Sequence, residues 1–317
     1  MPDPETMTTA WLSHPSCLLH DMGDHHPESP DRLTAIEDRV ARDAGLSAVL
    51  RREIAPEATR EQLERAHDPR LVDAIERASP ATGLRQIDPD TAMNPHTLQA
   101  IRHAAGAVVR ATDLVARGEV DNAFCAVRPP GHHAEHARAM GFCIFNNVAV
   151  GALHALAVHG FDRVAVIDFD VHHGNGTEDI FRDDPRVMMV STFQHPLYPY
   201  SGVDGRSDRM VNVPLPSQSD GRAFRAAIEH EWIPALERFR PDMLFISAGF
   251  DAHRDDPLAS LALVDSDYDW VTGRLMQAAD ALCAGRIVSV LEGGYSLPAL
   301  SRSVVAHVRR LAGLVPA

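Results

Sequence analysis

Apolar runs of strand length recur along the second half of the chain, at 123–127, 163–168, 187–192, 243–247 and 287–291, each bounded by turn residues. Longer segments lie between several of them. From 97 to 117, Leu98, Ile101, Ala105, Val108, Thr112 and Val115 fall three or four apart, which gives one apolar helical face. Similar periodicity covers 146–159, 221–239, 267–284 and 297–314. Strands alternating with amphipathic helices predict an α/β fold with a central, mainly parallel sheet covered by helices on both faces. The first ~90 residues read as more helical, are punctuated by Pro27, Pro30, Pro56, Pro69, Pro80 and Pro89, and show no second core pattern. Residues 1–317 are therefore expected to form a single domain.

Composition narrows the function classes. With 44 acidic residues against 30 basic ones the formal charge is −14, and no basic stretch is present to track a phosphate backbone, which argues against nucleic-acid binding. Cationic partners remain compatible. Every basic residue is an arginine, so the chain cannot itself be acetylated on a side-chain amine. Cys17, Cys125, Cys143 and Cys283 are scattered without a CxxC pair, which suggests reduced thiols and a cytoplasmic setting, with neither a disulfide framework nor a thiolate metal site. The start of the chain is polar and acidic up to Trp11, and no run reaches the ~18 apolar residues of a membrane span, so a soluble, intracellular protein is expected. Nothing in the sequence bars a homo-oligomer.

The polar motifs fall at the strand ends. Arg128-Pro129-Pro130-Gly131-His132-His133 follows the first run, Asp168 to Asn175 the second, Ser191-Thr192 the third, Ala248-Gly249-Phe250-Asp251 the fourth and Glu292-Gly293-Gly294-Tyr295 the last. Open parallel sheets bind ligands beyond the carboxyl ends of their strands, so the active site is expected there, built from all five segments. Asp170 and His172, at i and i+2, share one face of an extended segment and suit a borderline divalent cation such as zinc. Asp251, a lone carboxylate after a buried run, is the best third ligand, with a helix N-cap as its plainer reading. The paired imidazoles of His132 and His133 after Pro-Pro-Gly suggest proton handling, with Asp168 and Asn175 as orienting partners. Tyr295 could donate to an oxyanion, and Phe142 and Tyr198 could line a channel, although packing roles are commoner for aromatic residues. His25 and His26 read as a proline-bounded packing loop near the pocket floor.

Together, Arg128-Pro-Pro-Gly-His-His-Ala-Glu-His, Met140-Gly-Phe-Cys-Ile-Phe-Asn-Asn, Asp168-Phe-Asp-Val-His-His-Gly-Asn-Gly-Thr, Ser247-Ala-Gly-Phe-Asp-Ala-His and Leu291-Glu-Gly-Gly-Tyr resemble the zinc-dependent histone deacetylase superfamily, closest to its class II branch and bacterial amidohydrolases. The similarity runs from about His26 to about Ala306. It implies an arginase-like α/β fold and hydrolysis of an acyl-amide. It makes Asp170, His172 and Asp251 the zinc ligands, with ferrous iron acceptable to the same set, His132 and His133 the tandem pair, and Tyr295 the oxyanion donor. Asn175 stands where other members carry aspartate, which should leave His133 less basic than His132 and make it the general base and then acid.

The resemblance further implies a structural potassium held by the Asp168 side chain, main-chain oxygens of Asp170 and His172 and the Ser191 hydroxyl, and a second near Phe181, Asp184 and Val187. Gly141, Phe142, Tyr198 and Leu258 would bind substrate. That substrate is expected to be acetyl-lysine in a protein or peptide. An acetylated polyamine is the alternative, weakened because Leu258 stands near a position where polyamine specialists carry glutamate, and a non-catalytic acyl-lysine binder is a third. A two-manganese ureohydrolase is disfavoured: Asp251-Ala252-His253-Arg254-Asp255 matches its ligand string superficially, but His253 is expected to be exposed.

Overall fold

The computed structural model describes residues 7–204 and 207–314, so the polar start of the chain before Met7 lies outside the described residues. Eight strands, all paired in parallel, form one sheet in the order β2-β1-β5-β10-β9-β6-β7-β8. They are β1 (Thr9–Ser13), β2 (Leu50–Ile54), β5 (Asn122–Cys125), β6 (Val164–Asp168), β7 (Val187–Gln194), β8 (Met210–Leu215), β9 (Met243–Ala248) and β10 (Ile287–Leu291). A separate antiparallel ribbon, β3 (Arg85–Asp88) and β4 (Thr91–Met93), lies between β2 and β5 in sequence. The central strands β5, β6, β9 and β10 are buried along their whole length, as continuous apolar runs in a sheet covered on both faces should be.

Helices cover the sheet. Thr97–Ala116 is rich in alanine and buried on most sides, and it packs on Asn147–Val158, whose N-cap Asn146 accepts a hydrogen bond from the Ala149 N–H. Asp31–Arg42 and Asp265–Cys283 both pack on Leu297–Leu311. The helix expected over 221–239 is present but interrupted by a π-turn at Ile228–Trp232, which wide-period backbone bonds accommodate without breaking the run.

Chain order places the site. After β5 the chain skips two sheet positions to β6, runs outward through β7 and β8, then returns to fill the gap with β9 and β10. The carboxyl ends of β5, β10, β9 and β6 therefore meet around a crevice where strand order reverses, the position at which such sheets receive ligands. No helix of the described residues is long and apolar enough to cross a membrane.

Candidate active site

Beyond Asp168 the chain leaves β6 and folds back on itself. His172 Nδ1 lies 3.0 Å from Asp170 Oδ1 and 3.2 Å from Asp251 Oδ2, so three side chains from two strand ends face one point. Backbone donors hold the outer carboxylate oxygens: Gly293 N–H reaches Asp170 Oδ2 at 2.8 Å and Val171 N–H reaches Asp251 Oδ1 at 2.9 Å. Asp251 Oδ2 is buried and, beyond its approach to His172 Nδ1, makes no hydrogen bond among the described residues. Two glycines make room for the cluster. A Cβ at Gly249 would run into the Asp170 carboxylate, and one at Gly293 into Asp251.

These residues fit a borderline divalent cation. Asp168, Asp170, Asp251 and Glu292 are all buried here, an arrangement that is costly without positive charge close by. Burial, reinforced by the Asp170 carboxylate, pushes Asp251 up to about 7. Burial also works against a charged His172, yet the flanking Asp170 and Asp251 carboxylates prevail and push its imidazole up to about 10. A buried set of two carboxylates and an imidazole is the donor chemistry that such a cation prefers.

The tandem histidines differ through their partners. His132 Nδ1 meets Asp168 Oδ2 at 2.9 Å, and His133 Nδ1 meets Asn175 Oδ1 at 2.8 Å. Asn175 Nδ2 donates to Glu135 Oε1 at 2.8 Å, which sets the amide so that its oxygen faces His133. His133 thus carries its proton on Nδ1 and keeps a lone pair on Nε2. Burial opposes charge on both rings. For His132 the Asp170 and Asp168 carboxylates override it and hold the imidazole well above its ordinary value, whereas His132 and His172 add to burial at His133 and hold it well below.

Tyr295 arrives on a glycine turn, with Gly294 at φ +125°, and its backbone N–H donates to Asp256 Oδ2 at 2.7 Å. Its ring meets Phe142 edge to face at 5.9 Å, and burial holds its phenol well above its ordinary value, so it remains a proton donor. Phe142 follows Gly141, both at positive φ, and their N–H groups are pinned by Thr91 and Asp90 of the ribbon turn. Tyr198 stands edge to face with His133 at 5.2 Å and His172 at 6.3 Å. Leu258 is partly exposed on the loop beyond Asp251, and His26 packs its ring on Phe142 at 4.7 Å.

Strand register sets Ser191 beside Asp168. The Ser191 hydroxyl donates to Asn212 Oδ1 at 3.1 Å, which leaves its oxygen lone pairs available to an alkali cation. The second expected potassium position does not fit. The carbonyl oxygens of Asp184 and Val187 accept from Arg209 Nη1 at 2.6 and 3.2 Å, so a side chain of the protein already stands among them. His253, expected to be exposed, is buried, with Nε2 3.3 Å from Asp265 Oδ1, because its loop folds inward against Leu263. Another cluster of metal-binding residue types, Asp113, His154 and His159, is already satisfied, both imidazoles sharing Asp113 Oδ1 while Arg65 donates to His154.

Sequence reasoning missed Arg32. Fully buried, it donates from Nε to Gly294 O at 2.7 Å and from Nη2 to Glu292 O, and its guanidinium lies 5.0 Å from the Tyr295 ring centre. Glu28 balances both Arg32 and Arg128. The available signal was spacing: Arg32, Ile36 and Val40 fall four apart on the buried face of one helix. Asp256 and Glu135, which hold Tyr295 and Asn175, gave no such signal.

A family description, histone deacetylase domain, matches residues 26–311. A histone deacetylase-like amidohydrolase of Pseudomonas aeruginosa is 37% identical over 98% of this chain and 87% of its own length. The human polyamine deacetylase HDAC10 is 37% identical over 93% of this chain but only 46% of its own. The crystal structure of the HDA15 HD domain superposes with a TM-score of 0.90 at 35% identity, covering 98% of this chain and 90% of that one.

Proposed function

The chain belongs to the histone deacetylase domain family, and from that membership we propose that it is a zinc-dependent deacylase that hydrolyses the acetyl-amide of acetyl-lysine in proteins or peptides. The observation that carries this reading is the buried three-ligand cluster of Asp170, His172 and Asp251, in which Asp251 Oδ2 has only the His172 imidazole beside it. Bound by Asp170, His172 and Asp251, zinc, or ferrous iron on the same ligands, would supply Lewis acidity toward water and the scissile carbonyl. A structural potassium would rest on Asp168 and Ser191.

The protein's own groups account for the proton traffic. His133, neutral and with its Nε2 lone pair free of the Asn175 contact, takes a proton from the attacking water and returns it to the departing amine. His132 stays protonated against Asp168 and steadies negative charge. The Tyr295 hydroxyl donates to the oxyanion of the tetrahedral intermediate, and acetate and free amine leave. Phe142, Tyr198 and Leu258 wall a gorge for the alkyl stem, with the Gly141 carbonyl accepting the amide N–H.

One observation favours a second substrate class: the similarity to a polyamine deacetylase, together with a charge of −14 that attracts polycations. Leu258 offers no carboxylate at the entrance to select such a substrate, so a peptide is preferred. The test compares turnover by zinc-reconstituted protein on an acetyl-lysine peptide and an N-acetylated polyamine. We expect peptide preference, and in Tyr295→Phe a fall in kcat of about 10²–10³ at unchanged metal content. Polyamine preference would move the assignment to small-molecule amides. Absence of zinc-dependent turnover on both would overturn it.

A further inference from the structure

Arg209 precedes β8 and turns its side chain back beneath the loop 181–187 that enters β7. Three carbonyl oxygens converge on its guanidinium: Asp184 at 2.6 Å and Val187 at 3.2 Å from Nη1, and Arg182 at 2.9 Å from Nη2. Its own carbonyl accepts the Met189 N–H at 2.8 Å, which ties its backbone to β7 and fixes where the side chain starts. Converging carbonyls are the usual cradle of a hard monovalent cation, and of these three the Asp184 oxygen also accepts the Val187 N–H at 3.2 Å. We propose that the Arg209 guanidinium is a built-in cation that takes the place of one of two alkali-metal ions, so that this loop is held without a dissociable ligand.

The chemistry of the exchange is conservative. A guanidinium brings the same unit charge, stays charged throughout the working pH range, and supplies a planar fork of N–H donors that can satisfy several carbonyls together. The Asp184 carboxylate does not interfere, because Arg186 engages it at 3.0 and 2.7 Å. What the loop holds gives the substitution its consequence. On one side it ends the helix Asn175–Phe181, whose first residue accepts from His133, and on the other it begins β7, which carries Ser191 beside Asp168. A free ion steadies such a loop in proportion to the logarithm of its concentration, and a tethered one does so at any concentration. The protein should accordingly need potassium at the Asp168 and Ser191 position alone.

Thallium(I), a potassium mimic visible by anomalous scattering, tests this in crystals of the wild type and of Arg209→Ala, with thermal midpoints measured in potassium chloride and in choline chloride at equal ionic strength. In the wild type the carbonyls of Arg182, Asp184 and Val187 should hold no thallium. In Arg209→Ala they should gain it, and the midpoint in choline should fall by roughly 2–4 °C and recover in potassium. Thallium on those carbonyls in the wild type, with Arg209 displaced, would overturn the proposal, as would an Arg209→Ala protein that neither gains the ion nor loses stability. Should that variant not fold, wild-type occupancy decides alone. Neither readout depends on turnover, so the proposal stands or falls separately from the deacylase reading.

Discussion

Two adjacent buried imidazoles are driven in opposite directions by what surrounds each. Burial opposes charge on both, but the Asp170 and Asp168 carboxylates hold His132 above its ordinary value, whereas His133, bonded to an amide and facing the His132 and His172 imidazoles, is held below. A base of this kind works only while neutral, so kcat/KM should be lost as pH falls through the His133 pKa, which lies below 6.5. Replacing Asn175→Asp puts a carboxylate 2.8 Å from His133 Nδ1 and favours the protonated ring, so the acid limb should move up by about 1 pH unit. Initial rates on one peptide between about pH 5 and 8 check this, and a limb that stays in place in the variant would remove His133 from the role of base. At this scale the sequence was most legible where residue type and spacing coincide, as at Asp170 and His172. It was least legible at Arg32, which a polar string presents as a surface residue and which only the fold turns inward.

Strand ends hold these residues in register, and their glycines are sized to the carboxylates they flank. Gly293→Ala would press a methyl group against Asp251 and Asp170 while leaving β10 intact, since Gly293 lies beyond its last residue. We expect a folded protein, by circular dichroism, that retains less than about a tenth of the wild-type metal affinity. Metal titration tests it, and undiminished affinity would show that the loop yields. The central strands were readable because parallel strands buried on both faces are continuous apolar runs. β1, β2 and β8 were not, for reasons visible in their residues. β2 reads Leu-Arg-Arg-Glu-Ile, an edge strand with partly exposed charged positions, and β8 carries Pro214 at the other edge, where a missing N–H is tolerated. β1 is fully apolar only from Ala10 to Leu12, too short to stand out in a segment that otherwise reads as helical. The proline-punctuated N-terminal region is thus not only helical: it supplies two strands to the common sheet, which is why no second core pattern accompanied it.

The molecule as a whole buries titratable groups beyond those the candidate mechanism uses, and each gives stability a pH dependence of its own sign. His307 lies fully buried on the helix Leu297–Leu311, bonded to Thr272 Oγ1 at 2.6 Å and Ser289 Oγ at 2.9 Å, and burial pushes it down to about 3. His67, also buried, is pushed down to about 4. In the unfolded chain both take up a proton near pH 6.5, so between that value and their folded values the unfolded state binds more protons and stability falls as pH falls. Each contributes up to about 1.4 kcal/mol per pH unit across that window. His132 acts in the opposite sense, since its raised value favours the folded state at low pH, so the net slope reports the balance. Replacing His307→Gln isolates one contribution. The variant should be less stable at neutral pH because it disturbs two buried hydrogen bonds, yet its stability should decline less steeply from pH 6.5 to 5, by about 1.4 kcal/mol per unit. Urea unfolding of metal-loaded protein at several pH values measures both slopes. Parallel slopes would mean that the interior admits the proton, and that the packing of Phe124, Phe169 and Phe250 around His307 is looser than their ring distances of 5.6, 5.9 and 5.9 Å imply.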